Sequence, residues 1–158
     1  MNDSVIAADV VEVVETGFIK TEHVFRTTNE ILGVLTFNAG KTRGSYAGSD
    51  GTLLRFKRTN FWKSNYDLEQ DGAVLSSAAP SGKLSRAFVF GFEGNVYGFF
   101  PGGRKFRHWV VKNEIEEVLC EIGPRGAFKR GALIRFFYPV PIVLVVFVFC
   151  LVSKRWQE

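Results

Sequence analysis

The stretch Pro139 to Val152 reads PVPIVLVVFVFCLV, and no charge interrupts the chain from Phe136 to Val152. A run this apolar has to leave water, because burying one Val, Ile, Leu or Phe side chain is worth about 1.5–3 kcal/mol. Periodicity does not separate helix from strand where no face is polar. Length and termini point to a helix over about 141–154. Proline suits the first helical position, which Pro141 supplies. Lys154 and Arg155 fall at the other terminus, where cations complement the helix dipole. A bilayer-spanning helix needs roughly 20 apolar residues, with a floor near 17. The run only reaches that floor and carries prolines near its start, at 139 and 141. Length therefore leaves two readings: a helix buried in the protein's own core, or a C-terminal membrane anchor.

The rest of the chain bears on that choice. Its 158 residues read as one domain, 1–158. The 46% hydrophobic and 23% charged content is that of a folded globular chain rather than a disordered one. The 16 phenylalanines need an interior. Net charge is +4 but uneven: residues 1–16 hold Asp3, Asp9, Glu12, Glu15 and no base, so the remainder carries +8. Such a surface serves solubility or meets an anionic partner, lipid headgroups or nucleic acid. The acidic N-terminus does not read as a signal peptide. Two cysteines, Cys120 and Cys150, make no disulfide framework, and a reducing, cytoplasmic setting is expected.

From Phe18 the chain repeats itself. Phe18-Ile19-Lys20, Phe61-Trp62-Lys63 and Lys105-Phe106-Arg107 align at offsets of 43 and 44. At the same offsets Ile31 matches Val74 and Val118, and Arg43 matches Arg86 and Arg130. Periods of 20–50 residues mark repeated supersecondary units. Three are expected, at about 18–60, 61–104 and 105–138, with Lys20, Lys63 and Arg107 at equivalent strand positions. Within the second unit, Phe61 to Glu69, Ala73 to Ala78, Ser85 to Phe92 and Asn95 to Phe100 read as strands, separated by Asp71-Gly72, Pro80-Ser81-Gly82 and Glu93-Gly94. In the third unit the apolar run stands where a fourth strand belongs. With a first strand near Val10, eleven or twelve strands result. A sheet that large closes to remove its edges. A barrel of about twelve strands has an interior wider than side chains alone fill. The expected fold is therefore mainly β: a closed antiparallel barrel of about twelve strands around the C-terminal hydrophobic helix.

This pattern of short strands, Asp-Gly and Glu-Gly turns and a hydrophobic run after Arg135-Phe136-Phe137-Tyr138 resembles the tubby C-terminal-like superfamily. That superfamily includes tubby proteins, phospholipid scramblases and LURP-one-related proteins. The resemblance covers about Phe18 to Arg155 and lies in pattern, without a catalytic or calcium-binding signature. It implies a twelve-stranded barrel around a central hydrophobic helix, and a role in binding phospholipid or a membrane surface.

No set of residues points to a reaction, so no enzyme, cofactor or metal site is expected. His23 and His108 lack a Cys or acid at metal-ligand spacing, and His108 reads as a surface strand position. Cys120 reads as a buried thiol, and Glu114, Glu116 and Glu117 as a solvated turn. The strongest candidate site is a basic rim for an anion or lipid headgroup. Gly102-Gly103-Arg104-Lys105 offers turn amides with flanking charge, joined by Arg107. Arg55, Lys57, Arg58 and Lys63 bracket the equivalent junction one unit earlier. Nucleic acid is not expected, because barrel packing accounts for the aromatic residues. The expected protein is a non-catalytic binding module, cytoplasmic and peripheral to a membrane. The alternative is a tail-anchored protein with a cytoplasmic β domain.

Overall fold

Alternation of inward apolar and outward polar residues turns most of the chain into strands, and the charge-free run becomes the helix they enclose. The structure is a computed structural model. It describes residues 5–6, 9–17, 20–59, 64–82, 87–102, 107–126 and 130–157. Two short strands, β1 (Val5–Ile6) and β14 (Val140–Pro141), pair with each other. The barrel comprises β2 (Val10–Thr16), β3 (Glu22–Arg26), β4 (Ile31–Phe37), β5 (Arg43–Gly48), β6 (Leu53–Arg58) and β7 (Tyr66–Gln70). It continues with β8 (Ala73–Pro80), β9 (Phe88–Phe92), β10 (Asn95–Pro101), β11 (Trp109–Lys112), β12 (Val118–Pro124) and β13 (Gly131–Phe136). The helix α1 (Ile142–Gln157) follows β14.

Each barrel strand pairs antiparallel with the next in sequence, and β13 returns to β2, with Gly131 opposite Val14 and Arg135 opposite Val10. Closure leaves the barrel itself without an edge strand. Two tight hairpins have the expected turn residues: Asp71-Gly72 at φ +52° and +79°, and Glu93-Gly94 at +50° and +81°. Positive φ at both central residues matches the twist of the flanking strands. At the closing seam Gly131 has φ +121°, and a Cβ there would collide with the Val13 carbonyl. Ion pairs on β2 brace this seam, with Arg125 and Arg130 reaching across it and Arg26 approaching from β3 on the other side. Arg26 and Arg125 donate to Glu12 at 2.6 and 2.7 Å, and Arg130 donates to Glu15 at 2.9 Å. The Arg26 hydrogen bond, foremost, holds the Glu12 carboxyl below its usual range.

The inward residues of the barrel meet α1, whose residues from Ile142 to Ser153 are all buried. Phe147 of α1 sits 6.1 Å from the Phe56 ring and 5.6 Å from Phe90, and Phe149 sits 5.2 Å from Phe25. Along the wall, Phe56 stacks on Tyr66 at 5.1 Å and Phe99 on Trp109 at 4.4 Å. The aromatic excess thus lines one interior. The membrane-anchor reading of the apolar run is corrected here. Strands cover the run, and no helix among the described residues is long and apolar enough to cross a membrane.

Some strand boundaries also differ from the sequence reading. β7 starts at Tyr66 rather than Phe61, and β9 at Phe88 rather than Ser85. Lys20 and Arg107 each stand two residues before a strand, β3 and β11 respectively, so neither occupies a strand position. The reason is that the inward-facing pattern starts only at His23 and Trp109, leaving the preceding bases in connections. Phe61, Trp62, Lys63, Ser85 and Arg86 lie outside the described residues.

Candidate anion-binding site at one end of the barrel

Antiparallel order places successive connections at opposite ends. One end holds 27–30, 49–52, 71–72, 93–94 and 113–117, with 137–139 leading to β14 and the start of α1. The other holds the connections 17–21, 38–42, 59–65, 81–87, 102–108 and 125–130, together with the end of α1. Charge separates completely between the two sets. Described residues of the first set are Glu30, Asp50, Asp71, Glu93, Glu114, Glu116 and Glu117, with no base. Described residues of the second are Lys20, Lys41, Arg107, Arg125 and Arg130, with no acid. The end of α1 adds Lys154 and Arg155 to the basic end.

Side chains of α1 tie it to that end. Lys41 Nζ donates to Ser153 Oγ at 3.0 Å, Lys154 Nζ to the Gly40 carbonyl at 2.9 Å, and Trp156 Nε1 to the Arg107 carbonyl at 3.2 Å. Arg155 lies over the Phe88 ring at 4.3 Å. The turn presenting Lys41 is braced by Asn38, whose Oδ1 accepts from the amides of Thr42 and Arg43 at 2.9 and 3.0 Å. Lys41 itself takes the left-handed conformation, φ +52°. An Asx-type bond of this kind holds a turn in one shape.

Between these elements lies a cavity of about 360 Å³ lined by Glu15, His23, Lys41, Arg107, Pro124, Gly126, Arg130, Gly131, Phe149, Ser153 and Trp156. Pockets of a few hundred Å³ accept small molecules. His23 lies on the wall, 3% exposed, with its ring 5.4 Å from Phe37 and 5.2 Å from Phe149. Its Nδ1 has no hydrogen-bond partner among the described residues. Burial, foremost, lowers its pKa from 6.5 to about 4, with the Lys41 and Arg130 charges adding and Glu15 opposing. Burial also lowers the Lys41 ammonium, opposed by the Glu15 charge and reinforced by Lys154. Arg130 is engaged, donating to Glu15 and to the Gly17 carbonyl. Lys41 and Arg107 form no ion pair with any described carboxylate. The cavity is therefore a neutral imidazole and two apolar rings beneath cations that exceed the acids around them.

The structure separates the bases singled out in the sequence. Arg107 lines the cavity, and Arg58 closes β6 at the same end. Arg55 and Lys57 lie along β6 on the outer wall. There Lys57 pairs with Glu69 at 2.7 Å, and Arg55 borders a shallow outer groove with Leu53 and Asp71. Lys63, Arg104 and Lys105 lie outside the described residues. His108 is half-buried just before β11, packed where a Cβ on Gly123 would sit 2.6 Å from its Cε1. Cys120 and Cys150 are buried, and burial pushes the Cys120 thiol up to about 12 and raises the Cys150 thiol well above its usual range. Sequence reasoning missed His23, Lys41, Arg130, Ser153 and Trp156. One signal was present: His23 shares its alternation with Phe25 and so faces inward.

No protein-family model matches the chain, and no curated protein matches its sequence. Among solved structures, the X-ray structure of the protein AT5G01750 from Arabidopsis thaliana matches with a TM-score of 0.62. The match covers 92% of this chain and 91% of that one at 9% sequence identity. At so low an identity the likeness establishes the fold alone: this chain has the same overall architecture as that plant protein.

Proposed function

We propose that the chain is a non-catalytic binding module of the tubby-like fold, whose basic end meets an anionic partner, first of all anionic phospholipid at a membrane surface. The observation that carries this reading is the segregation of charge. Among the described residues, every charge on the connections at one end is basic and every charge on those at the other is acidic. Solubility alone asks for interspersed charge, whereas a one-sided field orients a protein toward an opposite surface. In sequence alone, the stretches 60–63, 83–86, 103–106 and 127–129 hold Lys63, Lys83, Arg86, Arg104, Lys105 and Lys129 and no acid. Membership of the tubby-like superfamily fits the barrel and its enclosed helix, and lipid binding is the role the resemblance implies.

Vesicle co-sedimentation tests it. Vesicles containing phosphatidylserine should bind the protein, and phosphatidylcholine vesicles should not. Binding should weaken as salt shortens the screening length to about 10 Å at 0.1 M. Each base near the surface contributes about 1 kcal/mol. Lys20→Ala with Arg43→Ala should therefore weaken binding roughly 30-fold. Arg55→Ala, farther along the outer wall opposite Ser45, should change it far less. Equal binding to both vesicle types, or none to either, refutes the reading.

A further inference from the structure

We infer that the cavity at the basic end is a binding site for a phosphate monoester, held by Lys41 and Arg107 above the His23 and Phe149 floor. This rests on the reading that the basic end meets anions, and it names the group recognised and the place. Three features on this cavity converge. Lys41 and Arg107 come from separate connections and face one space; Glu15 lines it too, but its carboxylate pairs with Arg130 at 2.9 Å, and neither Lys41 nor Arg107 forms an ion pair with a described carboxylate. An ammonium and a guanidinium together supply more donors than a carboxylate's two oxygens can take, and a terminal phosphate offers three. His23 is a buried polar group whose Nδ1 lacks a partner among the described residues, and such a group in a cavity wall marks a place where a bound molecule or ion completes the hydrogen bonding.

The rest of the lining says what the phosphate is attached to. A volume of about 360 Å³ exceeds what one inorganic anion fills, and Phe149, Trp156 and Pro124 give apolar surface beside the cations. The organic part is therefore small and partly apolar. The C-terminal end of α1 would repel an anion, but Lys154 on the Gly40 carbonyl and Arg155 on Phe88 place two cations at that terminus. Trp156, held by the Arg107 carbonyl, covers one side of the cavity. A soluble ester and a lipid with a terminal phosphate headgroup share this chemistry.

Titration of the full-length protein with inorganic phosphate and with glycerol 3-phosphate, followed by amide and indole NMR shifts, tests the site. Saturable shifts are expected at Lys41, Arg107 and the Trp156 indole, with glycerol 3-phosphate binding more tightly than inorganic phosphate. Lys41→Gln and Arg107→Gln should each weaken binding at least about tenfold. Lys41→Arg should retain it within about threefold, which guards against a turn that fails to form. His23→Phe should keep the fold and lower affinity. Vesicles carrying phosphatidic acid distinguish the sources: Lys41-dependent binding to them, beyond that to phosphatidylserine vesicles, makes the lipid headgroup the ligand. Its absence alongside saturable glycerol 3-phosphate binding makes the soluble ester the ligand. No saturable shift with either phosphate, or shifts unaffected by Lys41→Gln and Arg107→Gln, overturns the site. Phosphatidylserine binding that survives those same variants leaves the surface reading standing on its own, while phosphate binding without vesicle binding does the reverse.

Discussion

Phe147→Ala should destabilise the protein by about 4 kcal/mol, because Phe147 is the ring by which α1 grips the wall. It is 1% exposed and lies 6.1 Å from Phe56 and 5.6 Å from Phe90, both buried strand residues. Burying a phenyl side chain contributes about 1.5–3 kcal/mol. Each ring pair adds about 0.5–1.5 kcal/mol beyond area. The closed wall has little freedom to collapse into the space left, so a cavity term remains, and comparable Phe→Ala changes cost about 3–5 kcal/mol. That is a large share of a typical stability of about 5–15 kcal/mol. Urea unfolding of the full-length variant reads it directly. With a slope of about 2 kcal/mol/M the midpoint falls by about 2 M. Phe147→Leu, which keeps most of the volume, should cost less than about 1.5 kcal/mol. A midpoint shift below about 0.5 M for Phe147→Ala at unchanged slope would refute the enclosed-helix packing.

The His23 imidazole titrates near 6.5 unfolded and about 4 folded, so the unfolded state gains a proton first as pH falls. Stability should decline from about pH 6.5 toward pH 4, by on the order of 3 kcal/mol, and His23→Phe should flatten chemical denaturation midpoints between pH 6.5 and 5. Gly131→Ala should cost more than about 1 kcal/mol, since φ +121° and the Val13 carbonyl both exclude a side chain there. A thermal melt unchanged from the parent's would contradict the seam geometry. Cys120 and Cys150, buried with raised pKa values, should react with a thiol reagent only at the rate of unfolding. Prompt labelling of either in native buffer would mean the barrel opens there.

Much of this architecture can be read from local chemistry. Asp71-Gly72 and Glu93-Gly94 specify two-residue turns whatever surrounds them, and Phe88, Phe90 and Phe92 declare a face by alternation. The helix is legible from a charge-free run that only reaches the lower limit for a bilayer, combined with a strand count that needs filling. The site is less legible because it is assembled across the chain. Lys41 meets Ser153 over a separation of 112 residues, and no spacing rule joins them. Arg55 lies three residues before Arg58 in sequence, yet strand direction leaves it on the wall while Arg58 reaches the basic end, and Lys57 between them is taken up by Glu69. Only the order of strands around the closed barrel tells which connections share an end, and with that order the acidic and basic turns sort themselves.

Hydrogen–deuterium exchange of the full chain, with and without phosphatidylserine vesicles, tests most directly whether the basic end is the binding face. Vesicles should slow exchange at 38–42, 107–109, 124–126 and 153–156, the segments gathered where α1 finishes. Exchange at the acidic connections 49–52, 71–72, 93–94 and 113–117 should not change. Protection of those acidic connections, or of the outer wall around Arg55, with the α1 end unaffected would contradict the account.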